Sequence, residues 1–348
     1  MTTIPWSCTR EDVMAAMDNK LTARDTTRVD RVIEASSREV ERFLHRRFYP
    51  ETKTLTFDWP NDQHARPWRL WLDRNEVVSV SELVAGGVTI SSTDYFLRPD
   101  DGPPYSRIEI DLDSSAAFAA GDTHQRAVSV TGLYMGCPAT TAPAGTLAEA
   151  LDASETSVNV SDSAAIGVGH IITVDSERMI VTGKTMLTTG QTLQTALTAN
   201  VGNTTVAVTD GTAFAYDEVI LLDSERMLIV DIAGNNLTVR RSWDGTVLAA
   251  HTGSTIYAPR TLTVERGSLG TTAAEHTAAT AITRHVWPGP VRTLTIAESL
   301  NTLFQELAGY SRQIGQGETA RESYARGLRD AREKAYGAYG RKSRIRAV

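Results

Sequence analysis

The chain has 348 residues, 41% of them apolar and 22% charged, with a net charge of −7 at pH 7. It is long enough for two or three packed domains and too apolar for a disordered chain. No run of about 18 apolar residues and no amino-terminal apolar segment of signal type occurs, which predicts no membrane span and a protein made and kept in a cytoplasm.

"TREDVMAAMD" at the start sets Asp12 three residues after Thr9, a capping box ahead of a short helix. A longer helix follows, because Val29, Val32, Ile33, Val40, Phe43 and Leu44 fall on one stripe of period 3.6. Its other side carries Arg31, Glu34, Arg38, Glu41 and Arg42, and the proline of "HRRFYP" is expected to end it. The period then changes to two. "KTLTFDW", "WRLWLD", "VVSVSELVAGGVTI", "YFLRP", "SRIEIDL" and "AVSVTGLYMG" alternate apolar with polar residues and predict five or six half-buried antiparallel strands. Cys8 and Cys137 lie far apart without metal or disulfide spacing and read as buried thiols.

At residues 137–146, "CPATTAPAGT", the composition turns to Pro, Ala, Thr and Gly, a domain-boundary signal. Residues 147–285 are Thr-, Val- and Ala-rich with short strands, and "WPGPV" at 287–291 marks a second boundary. Helical spacing then returns: Ile296, Leu300, Leu303, Phe304, Leu307, Tyr310 and Ile314 form a stripe, and Tyr324, Leu328 and Ala331 line one side of a charged helix. From Arg321 to the end nine Lys and Arg stand against three acids, a net of +6, which leaves −13 on residues 1–320. An acidic body repels phosphates, whereas a basic tail docks on an acidic surface or is simply a solvated helix end.

The β-rich middle repeats itself. Asp175-Ser176-Glu177-Arg178-Met179 recurs 48 positions later as Asp223-Ser224-Glu225-Arg226-Met227. A closing phrase also occurs twice, since Arg241, Gly245, Thr246 and His251 match Arg266, Gly270, Thr271 and His276 at an offset of 25. The order is beginning, beginning, ending, ending, which is the order of nesting. Asp223 to Leu237 spans 14 positions and Asp175 to Leu262 spans 87, an excess of 73 that is about one module. A second module, 191–258, is therefore expected inside the hairpin of a first, formed by 146–190 and 259–285, since insertion at a hairpin tip has a small loop-closure cost. The block as a whole interrupts a core made of 1–145 and 286–348. The fold class expected is α+β: a helical core with a small antiparallel sheet, carrying an inserted block of two nested small β modules.

The Asp-Ser-Glu pairs resemble a fragment of a calcium loop, yet offer too few oxygens, so they read as turns joining strands. His251 and His276 have no Cys, His or acid at ligand spacing in sequence and read as turn or surface residues. GxSxG, GxxxxGK[ST], HExxH and strand-borne GxGxxG are all missing. No catalytic residue, cofactor or metal is expected, and a non-enzymatic role is.

The segments "TREDVMAAMD", "DRVIEASSREVERFLHRRFYP", "DYFLRPDDGPPYSRIEIDLDSSAAFAAGD" and "AVSVTGLYMG", with the closing "AESLNTLFQELAGYSRQ" and "REKAYGAYGRKSRIRAV", resemble the head-to-tail adaptor (head completion, or connector) proteins of long-tailed bacteriophages, especially those of actinobacteria. The resemblance covers about 1–136 and 286–348. It implies a structural protein of the virion neck, assembled in the host cytoplasm as a homo-oligomeric ring, commonly of twelve subunits. Its implied partners are the portal protein above, the next neck protein (stopper or tail terminator) below, and other copies of itself. DNA passes through the lumen without specific binding, and the β modules are expected to meet capsid or neck neighbours. The implied portal-binding residues are Tyr324, Arg326, Arg329, Arg332, Tyr336, Tyr339, Arg341 and Arg344; separately, the mixed charges Arg31, Glu34, Arg38, Glu41 and Arg42 on the 29–44 helix mark a side expected to face a neighbouring subunit. The competing readings are a carbohydrate-binding or adhesion protein built on the β modules, and a hydrolytic enzyme without a recognisable motif.

Overall fold

The computed structural model describes residues 4–17, 23–60, 66–307 and 318–341. It combines α-helices with antiparallel sheets, an α+β fold. The chain divides into two compact units: Met1–Ser37, Thr141–His285 and Thr295–Arg321 form the first, and Arg38–Thr140, Val286–Leu294 and Glu322–Val348 the second.

Helix α1 (Arg10–Met17) begins with the expected reciprocal cap: the Asp12 N–H donates to Thr9 Oγ1 (3.1 Å) and the Thr9 N–H to the Asp12 carboxylate (3.0 Å). Helix α2 (Ala23–Leu44) buries Val29, Val32, Ile33, Val40 and Leu44, each contributing about 1.5–3 kcal/mol relative to exposure. Phe43, the sixth residue of the predicted stripe, is 38% exposed. Ser36 and Ser37 are buried as well, and Ser37 Oγ accepts from the Ser7 N–H at 3.0 Å. The helix ends before the proline can act. His45 takes φ 54°, the Arg46 N–H donates to Glu41 O (3.3 Å) and the His45 N–H to Arg42 O (3.4 Å), the paired bonds of a Schellman end.

In the second unit seven strands follow: β1 (Glu51–Phe57), β2 (Arg69–Trp71), β3 (Val77–Ala85), β4 (Val88–Ile90), β5 (Tyr95–Arg98), β6 (Arg107–Ile110) and β7 (Val128–Tyr134). They make two antiparallel sheets, ordered β1-β7-β3-β4 and β2-β6-β5. The count exceeds the predicted five or six because one alternating run folds back on itself at Gly86 and Gly87, with φ 56° and 82°. A Cβ at Gly86 would stand 2.8 Å from the Gly121 nitrogen. The inner faces share a core that includes Leu70, Leu72, Val77, Leu83, Ile108 and Val130.

In the first unit the β block comprises β8 (Thr141–Thr146), β9 (Ser157–Asn159), β10 (Ile171–Val174), β11 (Glu177–Thr192), β12 (Thr205–Ala207), β13 (Val219–Leu222), β14 (Glu225–Ala233), β15 (Asn236–Trp243), β16 (Thr255–Glu265) and β17 (Ala281–His285). They form one ten-stranded antiparallel sheet, ordered β12-β15-β14-β13-β16-β11-β10-β17-β8, with β9 alongside β16. Strands β11 and β16 pair from Ile180 opposite Glu265 to Thr192 opposite Thr255. Residues 193–254 leave and rejoin them at neighbouring points, where the Leu193 N–H donates to Ser254 O at 2.9 Å. Two separate cores serve the sheet: Leu147, Val158, Ile172, Met179, Leu262 and Ile282 in one, and Leu197, Val206, Ile220, Met227, Leu237 and Ile256 in the other. The amino-terminal segment docks here too, through Arg10 N–H to Val168 O (3.0 Å) and Val168 N–H to the Glu11 carboxylate (2.9 Å).

Helices α3 (Gly289–Leu307) and α4 (Glu318–Tyr339) close the chain. Leu303 of α3 is buried as expected, with Ile296 and Leu300 partly buried. The other buried positions, however, include Val291, Leu294, Thr295, Glu298 and Ser299. Short polar residues share that face, and an apolar stripe alone does not locate it. Tyr310 and Ile314 lie outside the described residues.

Candidate functional site

The repeated phrase and its repeated ending meet in space. Asp175 and Asp223 each open a two-residue hairpin loop, at φ 52° and 51°, between β10 and β11 and between β13 and β14. The glutamate two positions on points inward and is caged. Glu177 accepts from Arg266 Nε and Nη2 (2.7 and 2.9 Å), the Gly267 and Ala274 N–H groups (2.9 and 3.0 Å), and pairs with His276 Nε2 (2.9 Å). Glu225 repeats this with Arg241 Nε and Nη2 (2.8 and 2.7 Å), the Ser242 and Ala249 N–H groups (2.9 and 3.0 Å) and His251 Nε2 (3.0 Å). The other ring nitrogen, Nδ1, meets Asp175 in one copy and Asp223 in the other, both at 2.7 Å.

The arginines are equally committed. Arg266 Nη1 donates to Asp152 O and Glu155 O, and Arg241 Nη1 to Thr198 O and Asn203 O. Each guanidinium therefore pins a loop by backbone carbonyls that lie outside the strands. Burial pushes the two glutamates up, but the arginine, histidine and backbone donors outweigh it and hold both at about 2.

Both imidazole nitrogens face carboxylates, so neither is placed to take a proton from a hydroxyl; Ser254 Oγ bonds Asp223 (2.8 Å) rather than the ring. Among the described residues no group of three or more His, Cys, Asp or Glu side chains is arranged to hold a metal ion. The reading of His251 and His276 as turn or surface residues is corrected: they are 2% and 5% exposed, at the centre of the networks. Their acids lie 26 to 101 positions away, out of reach of any local spacing rule. The two phrases, each repeated at its own constant offset of 48 or 25 residues, were the only signal, and read together they point to one partnership.

The residues assigned to portal binding lie on α4 and just beyond it. Arg329 is exposed, and Arg332 is 3.8 Å from Glu39. The Tyr336 ring lies 5.6 Å from that of Phe43, and Tyr339 meets Phe48 edge-on at 5.9 Å. The Arg341 N–H donates to Leu44 O at 3.0 Å, and its guanidinium to Asp73 O. Tyr324 and Arg326 fall in the first turns of α4, where the side chains lie outside the description, and Arg344 lies outside the described residues. On α2, Arg31 pairs with Glu306 (2.9 Å) and Arg38 with Glu41 (2.8 Å), both within the chain, while Glu34 and Arg42 stay exposed.

Beside α4, a groove of about 1420 Å3 is lined by the end of α2 and residues 45–47, Glu51 and Lys53 of β1, residues in the stretch from Trp71 to Glu76, Ser106, residues 134–136 and residues in 336–341. Seven Arg and Lys line it against four acids, which suits a carboxylate- or phosphate-bearing occupant. In its wall Arg46 pairs with Glu76 at 2.9 Å, and burial pushes the Glu41 carboxyl up to about 7 against Arg38 and Arg47. The nearby Cys137 thiol is buried and pushed up to about 12, which makes it inert. Sequence reasoning had no route to this groove, because its residues come from widely separated stretches. Among the described residues no helix is long and apolar enough to cross a membrane. Comparison with family models, with curated proteins and with solved structures finds no match for this chain.

Proposed function

We propose that the chain is a structural neck protein of a long-tailed bacteriophage: a head-to-tail adaptor that forms a ring beneath the portal, receives the next neck protein and lets DNA pass. In this reading the adaptor core is the helices with the two smaller sheets, and the ten-stranded block is a pair of nested β modules set into it.

One observation carries the reading. Helix α2 meets the closing helices in both units: with α3 through Val29, Val32, Ile33 and Leu303 and the Arg28 and Arg31 pairs to Glu306, and with α4 through Phe43 and Tyr336. A chain whose first long helix packs on both of its closing helices has the organisation an architectural core needs. The caged glutamates add support, since they rigidify the β loops without presenting a reactive group. The basic segment after α4 leaves from Arg341, beside a groove rich in arginine, and supplies a docking element for an acidic neighbour. The block's place is then outward, against capsid or neck proteins.

Electron microscopy of the purified protein with and without portal tests this. Discrete rings that add to one portal face are expected; monomers indifferent to portal would overturn the assignment.

A further inference from the structure

The β2-β6-β5 sheet in the second unit has an outer face of unusual composition. Register sets Arg69, Glu109 and Phe96 in one row, and Trp71, Arg107 and Arg98 in the next, while Leu70, Ile108 and Leu97 point to the core side. Glu109 is the single carboxylate of the two rows, and it holds Arg69 (2.7 Å), Arg107 (2.8 Å) and Arg98 (3.4 Å). Arg98 also pairs with Asp100, just beyond the end of β5. The guanidiniums lie over the rings: Arg69 and Arg107 over Trp71 at 6.0 and 5.4 Å, and Arg98 over Phe96 at 5.2 Å. Around a buried Glu109, three arginines with side chains 23%, 24% and 27% exposed, a half-buried Trp71 and a Phe96 that is 46% exposed make the two rows a net-positive, aromatic surface of the kind that dominates binding energy at protein interfaces. Since guanidiniums already occupy the rings, bases cannot stack there without displacing them, whereas their outer N–H edges stay suited to carboxylates.

The complementary surface is on the same chain. Residues 146–285 contain 15 Asp and Glu against eight Lys and Arg, a net of −7. The exposure is more lopsided still. Eight of those acids are exposed, Asp217, Asp231 and Glu275 among them, whereas Arg240 is the one exposed cation.

We propose that the Arg69–Trp71–Phe96–Arg98–Arg107 face of one copy docks on the acidic β block of the next. Two different surfaces of one chain then meet, a heterologous contact that repeats from copy to copy and closes as a ring. This rests on the adaptor reading and names its subunit contact, moving it away from α2, whose Arg31 and Arg38 are engaged within the chain.

Sedimentation velocity and native mass spectrometry of the full chain, at low and high salt, provide the test. The wild type is expected to self-associate and to weaken as salt rises. Phe96→Ala, Arg98→Glu, and from the other side Asp217→Asn with Asp231→Asn, each weaken association about tenfold or more, with thermal melts unchanged for Phe96→Ala. A wild type that stays monomeric, or variants that associate as it does, would overturn the contact. Binding of a labelled single-stranded oligonucleotide that Phe96→Ala abolishes would also overturn it, in favour of a nucleic-acid surface. If the variants still form rings that join portal, only this contact falls; if the wild type neither forms rings nor joins portal, the adaptor reading falls with it.

Discussion

The two caged glutamates are one design built at two ranges. In the inner copy Glu225 finds Arg241 16 residues on and His251 26 residues on; in the outer copy Glu177 finds Arg266 at 89 and His276 at 99. The bonds agree within a few tenths of an ångström, so the cage is indifferent to how far the chain travels to complete it. Loop closure explains why. Lengthening a flexible loop from 26 to 99 residues costs only about 1 kcal/mol, and the intervening 193–254 folds on its own core with its ends hydrogen-bonded side by side. A folded segment with adjacent ends thus leaves the longer-range cage nearly as local as the shorter-range one.

The comparison is broken most severely at the glutamates. Glu177→Gln or Glu225→Gln leaves a buried guanidinium without its counter-charge and is expected to cost about 3–5 kcal/mol, read from urea unfolding. Hydrogen exchange separates the two: Glu225→Gln loses protection within 193–254, and Glu177→Gln loses it in the flanking 147–192 and 255–285. Loss over the same residues in both variants would show that the block has a single cooperative unit.

Histidine replacement comes next. His276→Asn and His251→Asn each remove a buried double contact and are expected to cost about 1–3 kcal/mol, checked by the shift in urea midpoint.

Acid sharpens the picture without mutation. The folded-state glutamates titrate at about 2, below the ordinary 4.5, so their stabilisation is whole above the unfolded value and is lost as pH falls from about 4.5 toward 2. Thermal midpoints across that window should fall for the wild type and more gently for Glu225→Gln, which has one fewer such group. Parallel curves would mean that other carboxylates govern acid unfolding.

The smallest effect is expected at the rim. Asp175→Asn and Asp223→Asn keep a residue that tolerates the left-handed turn and remove only a charge on a side chain 62% or 60% exposed. No more than about 1 kcal/mol is expected for either, from the same unfolding curves. A larger loss would assign the aspartates a part in the cage equal to that of the glutamates.

Much of this protein is written locally. The reciprocal cap of Thr9 and Asp12, five of six residues in the α2 stripe, the period-two runs and the duplicated Asp-Ser-Glu turns follow from side-chain spacing on a helix or strand, and spacing is a property of sequence. Tertiary structure decided the rest. His45, rather than Pro50, ends α2 because two backbone bonds close there; Phe43 leaves the core for Tyr336; α3 turns Thr295, Glu298 and Ser299 inward. Only strand register lines up Trp71, Arg107 and Arg98 in one row. Only folding brings His276 to Asp175 across 101 residues, because contacts between distant segments depend on where the whole chain goes, which no local period records.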